Sequence, residues 1–207
     1  MPSMARPLGA PQGRVPRGGQ RRREELLSLA CRIFAEKGFD GASLQDIADE
    51  FGVLKGSLFH YIQSKDELLY EIIDGVFRGA QDAVWSKAVQ DGPAVERLRR
   101  VITAYIEYVS RHLDEVTVWL HDFKALPAEQ RHSIRRYEER DRRRLLELIE
   151  QAQREGGIWS DADARLASLA LLGAMNWVHR WFRPRGLTAR EIGDAFADLF
   201  LDGLAPR

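Results

Sequence analysis

Residues 43–68, SLQDIADEFGVLKGSLFHYIQSKDEL, gather the side chains whose types and spacing could do chemistry. That chemistry is recognition rather than bond-making. Lys55, Gly56, Ser57, His60 and Tyr61 crowd one short segment. A lysine can donate to guanine O6 and N7 or to a phosphate oxygen. A glycine lets backbone approach a sugar-phosphate chain. Ser57 and Tyr61 can donate to phosphate oxygens, and His60 can meet a base edge or a phosphate. Ser43 and Lys65 fall at expected helix starts, where free N–H groups and the helix dipole favour an anion.

Catalytic patterns do not emerge elsewhere. His60, His112, His121, His132 and His179 show neither an HExxH nor a paired-ligand spacing, and no nucleophile elbow, P-loop or GxGxxG run occurs. His121 and Asp122 are neighbours, but adjacent helical side chains diverge by about 100° and cannot form a site alone. The single cysteine, Cys31, sits among apolar residues and reads as a small core residue. No enzyme activity, cofactor or metal is expected.

The elements that must position the recognition residues follow from periodicity and caps. Leu26, Leu29, Ala30, Ile33 and Phe34 form one helical stripe over 24–37, and Gly38 can end it. Ser43 can cap a helix to about Phe51. Gly52 can take the positive φ of a turn, and a second short helix is expected over Leu54–Ile62. Ala48 is small where these helices cross, and Ile47, Phe51, Val53 and Leu58 supply apolar contacts. Two short helices joined by such a turn make a helix-turn-helix. Its second helix places Lys55 to Tyr61 where a recognition helix reaches the major groove. Ser64 and Glu67 form a capping-box pattern opening a helix towards residue 89.

The remainder also reads as helix. Leu98, Val101, Ile102, Tyr105, Ile106 and Val109 keep helical spacing over 94–125, with a bend expected near 112–114. Pro127 opens a charged helix ending at Gly156-Gly157. Asp161 or Asp163 opens an apolar helix to Phe182, and Thr188 with Glu191 opens the last, to about Leu204. No long period-two run suggests a sheet, so the fold class is all-α, with about nine helices. Three regions are expected: a flexible basic tail over 1–20, a DNA-binding helix-turn-helix domain over 21–66, and a larger domain over 67–207.

In order and spacing, ELLSLACRIFAEKGFDGAS, LQDIADEFGV and LKGSLFHYIQSKDEL resemble the DNA-binding domain of the tetracycline-repressor-type (TetR) family of bacterial transcription regulators. The family usually has Ser or Thr where Leu54 stands, Tyr where Phe59 stands and Phe where Ile62 stands. The resemblance implies a homodimer, paired through its two C-terminal helices, that binds a palindromic operator in double-stranded DNA. It also implies a small-molecule effector held by the larger domain. Tyr105, Tyr108, Trp119, Phe123, Met175, Trp177 and Trp181 could line an apolar pocket, and equally could be core. NWVHRWFRPRGLTAREI resembles a subgroup of degradation-pathway regulators that answer to acyl-CoA thioesters. The charged helix over 128–155 interleaves arginines with Glu138, Glu139, Asp141, Glu147 and Glu150, and a solvated face laced with ion pairs is expected of it. The expected function is therefore a repressor released by an apolar or acyl-CoA-type effector, the alternative being an effector-independent dimeric regulator.

Composition bounds these readings. The 207 residues carry 31 Lys+Arg against 31 Asp+Glu. The balance is uneven along the chain: residues 1–65 hold ten basic and seven acidic residues, the rest 21 and 24. Neutrality thus sums a basic end and a mildly acidic one, and predicts moderate non-specific DNA affinity. One cysteine excludes an internal disulfide framework. No secretory leader or membrane span is visible, and a cytoplasmic protein is expected.

Overall fold

A computed structural model describes residues 17–204; most of the expected tail, 1–16, lies outside them. Among the described residues there are nine α-helices and no strand. They are α1 (Arg17–Lys37), α2 (Leu44–Phe51), α3 (Lys55–Leu58), α4 (Lys65–Ala83), α5 (Ala94–Arg111), α6 (Leu113–Asp122), α7 (Ala128–Arg154), α8 (Ala164–Trp181) and α9 (Ala189–Gly203). Short 3-10 turns at Trp85–Lys87 and Phe123–Ala125 follow α4 and α6.

Several boundaries follow from local chemistry. Ser43 holds β-region dihedrals, and its hydroxyl accepts from the Asp46 amide at 3.1 Å while the Asp46 carboxylate accepts from the Ser43 amide at 2.9 Å. Thr188 and Glu191 close the same reciprocal box at α9, and Asp163, rather than Asp161, caps α8. At α4 only half of the expected box forms. Ser64 accepts from the Glu67 amide, but the Glu67 carboxylate turns to the Gln63 amide and to Arg23.

Three expectations are corrected. The 1–20 tail is helical from Arg17, and Arg22 and Arg23 are folded against the body of the protein. Arg22 lies 4.3 Å over the Phe51 ring, and Arg23 bonds Glu67, Glu71 and the Tyr61 carbonyl. The second short helix covers Lys55–Leu58, not Leu54–Ile62. Leu54 offers no cap to its start, and His60 and Tyr61 donate to carbonyls three residues back, so the chain tightens into a turn. α4 stops at Ala83 rather than near 89, where Val84 and Trp85 turn into the core. On α9 the apolar residues divide between a buried and an open side. Ile192 is buried with Gly193, Ala197 and Leu201, whereas Ala195 and Leu199 are exposed.

Two apolar clusters organise the molecule. One joins α1–α3 with Leu68, Leu69, Ile72, Ile73 and Phe77 of α4, and with Val118, Leu126 and Ile134. The other packs α5 and the later helices around Val76 and Ala80 of α4. Alternate faces of α4 thus belong to both clusters. Displacing α4 must disturb packing in each, because close-packed interiors transmit strain.

Candidate nucleic-acid interface and effector cavity

α1 and α2 are pinned together by Lys37–Asp46 at 2.6 Å and by the Arg32–Glu50 pair. The Lys37 ammonium and then the Ser43 hydroxyl hold the Asp46 carboxyl well below the usual range. Gly52, at φ 74°, turns the chain from α2 into α3. Its amide donates to the Ala48 and Asp49 carbonyls, a left-handed closure that disfavours side chains with a Cβ.

α3 then has a buried and an open side. Leu58 is fully buried. Lys55, Gly56 and His60 are exposed, and Lys55 makes no ion pair among the described residues. Ser57 is half-buried. Tyr61 is also half-buried, edge-on to Phe51 at 5.8 Å, so much of its ring serves packing. Lys65 is committed elsewhere: its ammonium donates to the Ala42 carbonyl at 2.6 Å and sits 4.1 Å from the centre of the Phe39 ring. Ser43 is exposed, but its hydroxyl serves the α2 cap. Lys55, Gly56 and His60 therefore form the open edge of α3, and the contacts of Ser43, Tyr61 and Lys65 brace the elements around it.

In the larger domain a cavity of about 430 Å³ opens between α4, α5, α6, α7 and α8. Of the seven aromatic and Met candidates, it brings together Tyr105 and Trp119. Met175 is buried core. Tyr108 is buried as well, donating to the Val76 carbonyl at 2.8 Å. Phe123 packs with the other cluster. Trp177 and Trp181 lie on the open side of α8, where Trp181 stacks on Phe196. Helical spacing marks which residues share a face, but not which faces meet.

The cavity also uses residues the sequence reading missed: Phe77, Trp85, Leu172, Asn176, Glu138 and Asp141. Trp119 donates to Glu138 at 3.1 Å, and Tyr105 donates to Asn176 at 2.5 Å. Burial raises the Asp141, Glu138 and Tyr105 proton affinities. The expectation of a solvated α7 face is therefore corrected for Asp141, which is buried beside Gln81, Arg140 and Arg144. A signal existed: Asp141 continues the buried Ile134–Leu145–Leu148 stripe of α7.

Beside the cavity runs a groove lined by His132, Ser133, Arg136, Tyr137, Arg140 and Arg143, and it shares Arg135 and Glu139 with the cavity. Burial pushes the Cys31 thiol up, as for an inert core residue. Among the described residues no cluster of His, Cys, Asp or Glu could hold a metal ion, and no helix is long and apolar enough to cross a membrane.

A helix-turn-helix on an all-helical body with an internal cavity defines the class of small-molecule-responsive DNA-binding regulators. The comparisons agree. Residues 26–72 match the model for bacterial regulatory proteins of the tetR family, and residues 91–204 that for the tetracyclin repressor-like C-terminal domain. The chain is 34% identical over 190 residues to the HTH-type transcriptional repressor KstR2 of Mycobacterium tuberculosis, covering 88% of this chain and 92% of that one. The solved ketosteroid regulator KstR2 of that organism superposes with a TM-score of 0.85 at 28% identity, over 90% of this chain and 96% of that one. AibR in complex with isovaleryl coenzyme A and operator DNA gives 0.78 at 30% identity, over 86% and 97%. The chain belongs to the tetR family of bacterial regulatory proteins. It is a ligand-responsive repressor of that type, not an enzyme.

Proposed function

We propose that this repressor binds a palindromic operator as a homodimer and is released by an acyl-CoA thioester. The observation that carries the ligand class is the continuity of the aromatic-walled cavity with the basic groove through Arg135 and Glu139. An acyl chain fits among Phe77, Trp85, Tyr105 and Trp119, while Arg136, Arg140 and Arg143 can receive the phosphates of coenzyme A. AibR, solved with isovaleryl coenzyme A, supports this class.

Dimerisation through α8 and α9 is supported by their open apolar side. Leu166, Leu169, Trp177 and Trp181 of α8 and Leu199 of α9 are all exposed in the single chain. Exposed large apolar side chains gathered on neighbouring helices support an interface there. Two recognition helices would enter successive major grooves about 34–36 Å apart. Of the expected contacts, Lys55 and His60 would meet base edges or phosphates, and Gly56 would allow close approach. Ser57 and Tyr61 would donate to phosphates. Ser43 and Lys65 would chiefly position the helices, marking the 21–66 and 67–207 units as meeting at the start of α4.

The route between cavity and DNA would run along α4. Phe77 packs edge-on against Trp119 at 4.9 Å and stacks on Tyr137 at 5.6 Å. Two turns earlier Glu71 and Glu67 hold Arg23, which also bonds the carbonyl of Tyr61 just beyond α3. A ligand seated against Phe77 would favour one α4 position, shifting DNA affinity only by its differential affinity for the two states.

The test is titration of a fluorescent operator complex with isovaleryl-CoA, longer acyl-CoAs, free coenzyme A and free carboxylic acids. Thioesters should release DNA where coenzyme A and free acids at equal concentration do not. An operator complex indifferent to every thioester refutes the ligand assignment.

A further inference from the structure

We infer that Leu54 and Phe59 read the C5-methyl group of thymine, making the half-site's specificity partly apolar. The inference rests on the DNA-facing placement of α3 proposed above. Leu54 is 81% exposed and Phe59 53%, and they are the exposed large hydrophobic side chains among the described residues before α4.

A lone exposed leucine needs no explanation, but Leu54 breaks two local rules at once. It occupies the N-cap of α3, at φ −68° and ψ 145°, and provides no side-chain hydrogen bond to it. Serine or threonine there would satisfy a free amide and hide nothing apolar. Where a local rule fails without compensation within the chain, the reason is sought in function. Phe59 follows Lys55 by four residues and keeps helical dihedrals at the other end of α3, φ −66° and ψ −6°. It therefore shares the exposed arc of Lys55, Gly56 and His60, opposite buried Leu58. Its ring makes no contact with another ring or a cation among the described residues.

The occupant follows from groove chemistry. The major-groove edge of every base presents donors or acceptors, and thymine alone adds an apolar methyl group. Phosphates and polar base edges offer nothing to leucine or phenylalanine. Lys55, between them in sequence, supplies attraction to the polyanion. Burying one methyl is worth about fourfold in affinity.

The experiment uses the full-length protein and a duplex obtained by random-site selection. Each thymine is replaced in turn by deoxyuridine, which removes only the methyl group, and dissociation constants are measured by fluorescence anisotropy. The wild type should lose about fourfold at one or more thymines in each half-site. Leu54→Ser, which adds a capping hydroxyl, should bind thymine and uracil duplexes alike at the position Leu54 reads. Phe59→Ala should do so at its own position. Both side chains are exposed, so neither change empties the core, and thermal melts check this. The inference is overturned if uracil costs the wild type nothing at any thymine, or costs both variants as much as the wild type. Failure of the underlying DNA-face reading would look different: no duplex would be selected even at low salt, and both ideas would fall together.

Discussion

Two glycines one turn apart on α4 should respond to the same substitution with opposite signs. Gly75→Ala places a Cβ where no atom lies within 4 Å. The change should then deliver the ordinary helix-propensity gain of about 0.8–1.0 kcal/mol. Gly79→Ala carries the same gain, but its Cβ falls 2.5 Å from the Tyr108 hydroxyl and 3.2 Å from the ring carbon bearing it. Tyr108 cannot step aside freely, being buried and bonded to the Val76 carbonyl at 2.8 Å. Overpacking of this kind costs about 1–3 kcal/mol, and a buried hydroxyl losing its partner costs about 1–3 more. The net for Gly79→Ala is a loss of roughly 1–5 kcal/mol. For a chain of this length each kcal/mol moves the melting temperature by about 2–4 °C. Gly75→Ala should melt higher than the wild type and Gly79→Ala lower, in calorimetry at one fixed protomer concentration, since dimerisation makes melting concentration-dependent. A double-mutant cycle with Tyr108→Phe sharpens the test, because removing the hydroxyl should recover much of the Gly79→Ala loss. Equal shifts for both alanine variants, or no recovery in the cycle, would refute the reasoning that Tyr108 holds α4 close to α5.

Further outcomes follow from the same geometry. Lys55→Ala should cost about 1–3 kcal/mol and relax sequence preference if Lys55 reads a base; if it touches only phosphate, binding should weaken evenly and the salt slope shrink by about one. Asp46 is held below its ordinary pKa by Lys37 and Ser43, so its contribution is present above the unfolded-state value near pH 4 and is lost as pH falls below it. Acid melts of the wild type and Asp46→Asn should therefore differ by a steady amount above about pH 4 and draw together progressively as the pH falls further below it. Trp177→Glu, at a position 61% exposed, should leave the monomer folded while sedimentation shows loss of the dimer and anisotropy shows loss of operator binding. Trp119→Phe should reduce the tryptophan quenching produced by an acyl-CoA, because Trp119 lines the cavity.

Much of this molecule is written locally. Ser43 with Asp46, Thr188 with Glu191 and Asp163 fix helix starts through contacts two to three residues away, and Gly38 and Gly52 fix turns through their own φ. Such interactions need no knowledge of the rest of the chain, so the helix order, the turn that presents Lys55 and the break at His112 were legible in the sequence. Local sequence does not reach the places where a distant partner decides. Nothing near Arg22 and Arg23 in sequence shows that Phe51, Glu67 and Glu71 arrive beside them. Lys65 looks free for phosphate until the Ala42 carbonyl and Phe39 ring claim it. Seven aromatic and Met residues looked equally suited to a pocket, yet two line it, because a cavity is a property of where helices fail to meet. By itself, the sequence determined the helices, the helix-turn-helix segment and the family resemblance, all carried by interactions of short range along the chain. Only the tertiary structure decided which charges are spent on packing and which faces enclose the cavity, because those depend on contacts between residues tens of positions apart.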